Sequence, residues 1–368
     1  MKKVKLGDVC KIQSGGTPSR GNLNYWNNGN IPWVKISDIK EKHLSRTEEF
    51  ITQEGLANSS AKIFPKETIL YTIFATLGEV SILEIEATTN QAIAGLQIID
   101  ENICKDYLYY YLISLKPFVN EIGRGVAQNN INMQILRNFE IPLPSLEEQK
   151  AIARKLDKVS GLIEKRKTQL EKLSELVKSR FIEMFESGNY PVCRLGDVCS
   201  KITDGTHKTP NYLDAGVTFI SAKNIVNGEL DFSDVKYISD QEYAEIQKRC
   251  QTEMGDILLS KSGSLGAPVI VKTTERIGLF ESLAVIKYDR SKLLPAFLCE
   301  QLKSDRIQRQ FKVGTKGVAI KHLHLGVIAD TDIVVPPIED QNAFATFVEQ
   351  VDKSKYHDEI TCEMEVAA

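Results

Sequence analysis

Leu6-Gly7-Asp8-Val9-Cys10 returns as Leu195-Gly196-Asp197-Val198-Cys199, 189 positions later, and that repeat decides how the whole chain is read. The correspondence continues in register. Ser14-Gly15-Gly16-Thr17 answers Thr203-Asp204-Gly205-Thr206 at the same offset, and Ile31-Pro32-Trp33 through Ile39 answers Val217-Thr218-Phe219 through Ile225 at 186. Pro144-Ser145-Leu146-Glu147-Glu148-Gln149 answers Pro336-Pro337-Ile338-Glu339-Asp340-Gln341 at 192. So small a drift means short loop insertions between two copies of a unit far longer than a solenoid repeat. Each copy is a domain-sized body. A duplicated domain without duplicated chemistry points to a protein that holds two similar things at once.

Between the copies the pattern changes. Ser145, after a proline and three residues before Glu148, is a capping box that opens a helix. Ile152, Leu156, Val159, Ile163, Arg166, Leu170, Leu173, Val177, Arg180 and Met184 then recur in strict 4,3 alternation, the other faces being rich in Lys and Glu. This is a coiled-coil seam on a rod of roughly 60 Å at ~1.5 Å per residue, and such a rod needs a partner helix. By the repeat, the partner starts at Ile338-Glu339-Asp340-Gln341, with Phe344, Val348 and Val351 on its seam. Lys355 then stands where Ile163 stood, and no 3,4 pattern follows. The second helix is therefore expected to be shortened or altered. The resulting division is 1–146 and 188–337 for the globular units, 147–187 and 338–368 for the helices. Strands mixed with helices, without a βαβ rhythm, predict an α+β fold for each unit, with helices over 105–122 and 292–311.

The 368 residues carry a net charge of −3. Residues 1–146 are neutral, 147–187 carry +2, 188–337 carry +1 and 338–368 carry −6. Outside the tail the chain is weakly basic, so nucleic-acid binding needs local patches or a more basic partner. The seven cysteines form no Cys-x-x-Cys; Cys10 and Cys199, equivalent in the repeat, read as buried thiols in a reducing compartment. No apolar run spans a membrane and no signal segment follows Met1, so a cytoplasmic location is expected.

The polar loops are the candidate binding residues. Ser14, Gly15, Gly16, Thr17 and Arg20 in the first copy, and Thr203, Asp204, Thr206, His207 and Lys208 in the second, combine adaptable backbone, hydroxyls and cations suited to phosphates or base edges. Lys35, Lys223, Lys261, Ser262 and Ser264 extend the set. Arg124, Gln128, Asn129 and Asn130 add amides and cations, as do Lys316, Lys321 and His322 opposite them. Ordinary surface turns are the alternative for any one loop. Their recurrence in both copies with changed side chains favours two readers of different sequences. No phosphate-binding Gly-x-x-x-x-Gly-Lys-Ser/Thr and no His-Glu-x-x-His occur, and Val334-Val335-Pro336-Pro337-Ile338 shares only its prolines with adenine methyltransferase motifs. Neither a catalytic centre nor a metal site is expected.

Two copies of Leu-Gly-Asp-Val-x-x-x-x-Ser/Thr-x-Gly-Thr, each ending in Pro-x-x-x-x-Gln and a heptad helix, resemble the specificity subunit of a type I restriction-modification enzyme. Ile141-Pro142-Leu143-Pro144-Ser145-Leu146-Glu147-Glu148-Gln149 is especially similar, and the resemblance spans residues 4–354. It implies that each unit is a target-recognition domain for one half of a bipartite double-stranded DNA site. It further implies that the helices form an antiparallel coiled coil that docks two modification subunits. S-adenosylmethionine would then belong to those subunits, ATP and Mg to restriction subunits, and none of the chemistry to this chain. The departure is the C-terminal tail, which predicts self-association through residues 163–184 or a weakened second docking site. The competing classes are an adaptor whose two domains bind proteins and a single-chain methyltransferase or nuclease.

Overall fold

The computed structural model describes residues 2–124, 130–186, 188, 190–315 and 322–367; for 123, 124 and 356–367 only the helical backbone is described. The chain forms two compact units, Met1–Leu162 and Ile163–Ala368, so the division falls inside the first long helix.

Each unit is mixed α and β and is closed by its own first and last strands. Lys3–Lys5 pairs antiparallel with Glu140–Pro142, and Val192–Arg194 with Asp332–Val334. The Leu-Gly-Asp-Val turn sits directly after the opening strand. Its Leu6, Val9 and Leu195 side chains are buried, and the Leu6 and Leu195 amides donate to Phe139 and Thr331 carbonyls at 2.8 Å. That is why the motif repeats: it anchors the start of each unit to its end.

The main sheet of the first unit runs Cys10–Ser14, Ile93–Ile98, Ile69–Thr72, Val80–Leu83 and His43–Leu44. The second unit repeats it as Cys199–Asp204, Leu283–Tyr288, Ile257–Ser260 and Pro268–Ile270. A three-stranded sheet accompanies each. Ile31–Val34 lies between Glu49–Ile51 and Thr88–Thr89, and Val217–Ile220 lies between Lys236–Ile238 and Ile277–Leu279. The central strands are mostly apolar and largely buried on both faces, which follows from helices covering one side and the smaller sheet the other.

Each predicted helix over 105–122 and 292–311 is a broken pair. Lys105–Ser114 and Lys116–Arg124 part at Leu115, just ahead of Pro117, which cannot donate to a continuing helix. Pro295–Lys303 and Asp305–Gly314 part at Ser304, whose extended backbone and hydroxyl cap the second segment through the Ile307 amide.

The first long helix, Leu146–Phe181, begins with the predicted capping box. The Ser145 amide donates to Glu148 at 2.9 Å and the Glu148 amide to the Ser145 hydroxyl at 3.3 Å. Gln149, fully buried, pins the helix start to the preceding unit. It accepts from the Cys104 amide at 2.8 Å and donates to the carbonyls of Asn102 at 2.8 Å and Pro144 at 3.0 Å. Gln341 repeats this: it accepts from Leu294 at 2.9 Å and donates to Lys292 at 2.8 Å and Pro336 at 2.9 Å. The glutamine of the repeated Pro-x-x-x-x-Gln motif is thus a three-bond lock.

The second long helix runs Ile338–Ala367, 30 residues against 36, so it is shorter than the first as expected, yet it continues as helix past Lys355. Loss of apolar period after Lys355 removes a seam but not helix-forming residues; neither Gly nor Pro falls between 339 and 367. Within the second unit the two helices run antiparallel. Phe344 packs on Phe181 and Phe185, with ring centroids 5.5 and 5.6 Å away, Val351 shares a core with Val177, and Lys355 lines a groove with Ser174. Leu173, Met184 and Val348 pack against that core. At the other end of the predicted seam, Ile152, Leu156 and Ile163 are 40%, 38% and 47% exposed, and Ala153 enters the first unit's core. Val159 and Leu170 are half-buried. Phe181 and Phe185, off the strict seam, carry the largest packing load because there the helix meets a globular body as well as a partner helix.

Candidate nucleic-acid interface

The predicted loops meet where the first main-sheet strand of each unit ends. In the first unit, the Gly15 amide donates to Ile93 at 3.0 Å and the Gly16 amide to Thr89 at 2.8 Å. In the second, the Gly205 amide donates to Leu283 at 3.3 Å and the Thr206 amide to Leu279 at 2.9 Å. Gly15 and Gly205 are therefore equivalent, an offset of 190. The 189 read from sequence is corrected by a bulge between Cys199 and Lys201 that inserts one residue. A Cβ at Gly15 would run into Thr89 and Asn90, and one at Gly205 into Leu279 and Phe280. Both glycines are demanded by close backbone approach, not by a ligand.

With the register corrected, Asp204 stands where Ser14 stands, His207 where Thr17 stands, and Glu281 where Gln91 stands. Lys261 takes the place of Ile73: the Ile73 amide donates to Ala92 and the Lys261 amide to Ser282, in matching positions. The same loop crossing is thus chemically rebuilt. In the first unit the Thr17 hydroxyl donates to Gln91, and Ile73 is buried beside them. In the second, Lys261 and Asp204 form an ion pair with both side chains 3% exposed, and Lys261 also donates to the Glu281 carbonyl at 3.1 Å. Arg249 binds the other Asp204 oxygen and lies 3.3 Å from the His207 ring nitrogen; His322 lies 3.4 Å from Glu281. Burial pushes the Asp204 carboxyl up, but the Lys261 and Arg249 hydrogen bonds outweigh it and hold it below the usual carboxylate range. Lys261, expected as a surface cation, is instead internal, because its partner Asp204 is buried.

Arg20 and Lys35 make a separate group. The Arg20 guanidinium lies 3.7 Å over Trp26 and 4.7 Å over Trp33, and it pairs with Glu49; Lys35 bridges Glu48 at 2.8 Å and Glu49 at 3.3 Å. Arg20 first, with Lys35 behind it, holds the Glu49 carboxyl below its usual range. Trp33 ties this group to the glycine crossing by donating to the Gly16 carbonyl at 3.0 Å. Lys223 stands apart, paired with Asp234 at 2.8 Å. His207 and Lys208 are exposed, and Ser262 and Ser264 lie on the Ile257–Ser260 to Pro268–Ile270 turn. Asn130 bridges to Phe74 on the matching turn of the first unit. Gln128, Asn129, Lys316 and Lys321, with the side chain of Arg124, lie outside the described residues.

Gln91, Glu281 and Arg249 escape sequence reading. The first two emerge only once the offset is 190, and Arg249 ends the helix Asp240–Arg249, far away in sequence. Asp204, His207 and Glu281 bring ligand-type atoms within 4.8 Å of one another, but Lys261 and Arg249 already occupy both Asp204 oxygens. The arrangement can present hydrogen-bond groups; it does not assemble a nucleophile with a base.

Two homologous units, each with the same loop crossing and different side chains around it, define a tandem-domain protein. A model of the type I restriction modification DNA specificity domain matches residues 1–174 and again 188–363, and the chain belongs to that family. It is a DNA sequence-specificity subunit and not an enzyme in its own right. It is similar to the MjaIX specificity subunit of Methanocaldococcus jannaschii, 29% identical over 92% of this chain and 83% of the relative. The EcoBI specificity subunit of Escherichia coli is 23% identical over 95% and 78%. A type I restriction-modification S subunit from M. genitalium shares the fold, with a TM-score of 0.52, 16% identity and coverage of 100% of this chain and 93% of that one. So does a chain from a type I R-M system complex, at TM-score 0.55, 18% identity and coverage of 100% and 94%. No helix among the described residues is long and apolar enough to cross a membrane.

Proposed function

We propose that each unit reads one half of a bipartite, asymmetric DNA site, and that the paired helices set the interval between the halves and dock two modification subunits. The observation that carries this reading is the glycine crossing. Its backbone geometry is the same in both units, while the side chains around it change from Thr17, Gln91 and Ile73 to His207, Glu281 and Lys261. A kept frame with exchanged hydrogen-bonding groups suits two readers of different bases. S-adenosylmethionine is bound by the modification subunits and ATP with Mg by restriction subunits, leaving this chain without a cofactor. Exposed Ile152, Leu156 and Ile163 supply apolar surface for a docked subunit, or for a second copy of the chain when modification subunits are missing.

The test is selection from random duplex DNA, with the full chain alone and assembled with modification subunits. Enrichment of two short conserved blocks separated by a fixed gap is expected. Enrichment of no sequence in either form overturns the reading in favour of a protein-binding adaptor.

A further inference from the structure

We infer that Gln91 and Glu281 are equivalent base-reading positions, and that Glu281 selects a base carrying an exocyclic amino group in the major groove, cytosine or adenine. This rests on the proposed function above and names residues within it. Gln91 and Glu281 follow the same crossing at the same offset of 190, and each is held by a neighbour from the opposing loop. Thr17 donates to Gln91 in the first unit, while in the second His207 lies beside Glu281 and the Glu281 amide donates to the Thr206 carbonyl at 3.0 Å. Gln91 is exposed, and Glu281, though largely enclosed, keeps 26% of its side chain open to solvent.

The chemistry of the two differs in the way recognition requires. An amide offers a donor and an acceptor together, matching the N6 and N7 edge of adenine; a carboxylate only accepts, matching the amino group of cytosine N4 or adenine N6. A carboxylate facing a polyanion normally costs affinity. Here Lys261 lies 3.8 Å from Glu281 and His322 3.4 Å, with Arg249 neutralising Asp204 alongside, so the acceptor sits in a locally balanced field. Glu281 is thereby positioned and tolerated at a DNA-facing surface.

The experiment compares wild type, Glu281→Gln and Gln91→Glu as full chains assembled with modification subunits, each taken through random-duplex selection. For Glu281→Gln, preference at one base pair of one half-site should change or relax at least tenfold, with the other half-site unchanged; Gln91→Glu should act on the other half-site only. If wild type enriches a bipartite site and both variants keep every base preference, the inference fails while the proposed function stands. A uniform loss across all positions also overturns it, since that marks a general electrostatic role. Should Glu281→Gln lower the melting temperature, His207→Thr with Glu281→Gln installs the first unit's own pair and must give the same single-position change.

Discussion

At the residue scale, the exchange of Ser14 and Ile73 for Asp204 and Lys261 makes the second unit depend on a compensated pair. A buried charge that loses its partner costs about 3–5 kcal/mol, whereas replacing both by well-packed neutral groups is often neutral. Asp204→Asn is therefore expected to lower unfolding free energy by about 3 kcal/mol or more. Asp204→Ser combined with Lys261→Ile, the first unit's own residues, should recover most of that loss in urea titrations. Asp204 also sets a pH dependence. Its folded carboxyl titrates below the ordinary Asp value of about 3.9, so its contribution is complete above that pH and disappears as pH falls through the folded value. Urea midpoints measured from pH 5 to pH 2 should fall more steeply for wild type than for the double variant. A parallel decline would assign the acid sensitivity to other carboxylates. Of the two repeated cysteines, Cys10 is buried as expected and Cys199 only partly so; desolvation pushes both thiols up to about 12.

At the element scale, the glutamine locks and the phenylalanine cluster fix how each long helix leaves its unit. Gln341→Leu strands the Leu294 amide and two carbonyls, and should cost about 3 kcal/mol or more at about 1–3 per unsatisfied group. Phe185→Ala empties a site that is 1% exposed against Phe181, Phe297 and Phe344, and should cost about 3–5 kcal/mol in the same measurement. Equal midpoints for wild type and either variant would mean that these contacts do not limit folding. Much at this scale was legible in sequence. The capping box, the strands around Ile69, Ile93, Ile257 and Leu283, and the start of the second helix all follow from period and repeat, whereas its antiparallel course came only from the family resemblance. What was not legible has local physical causes. Ser304 can cap a new helix or continue an old one, and only packing decides which. A one-residue bulge is silent in composition, yet it moved the equivalences along Cys199–Asp204 and through the glycine crossing by one position. Nor does the second helix need an apolar seam to remain helical.

At the scale of the whole molecule, balanced charge limits non-specific attraction. With the two globular segments near neutral, the proposed reading requires phosphate contacts from scattered cations such as Lys208 and from partner subunits. DNA affinity of the assembled complex should fall linearly in log K against log salt, and Lys208→Ala should reduce that slope by about one without changing base preference. An unchanged slope would place Lys208 away from phosphates. The site residues were legible as loops, but their partnerships were not. Lys261 reads as an exposed cation until Asp204 is found beside it, 57 residues away in the chain. That separation bears on how the two halves of the gene can trade sequence. A crossover between the copies that falls inside the 57-residue interval delivers one member of the buried pair without the other. Such recombinants leave Lys261 without its buried carboxylate, or Asp204 held by Arg249 alone, so exchanges that move the aspartate and the lysine together, or leave both behind, disturb the interior least.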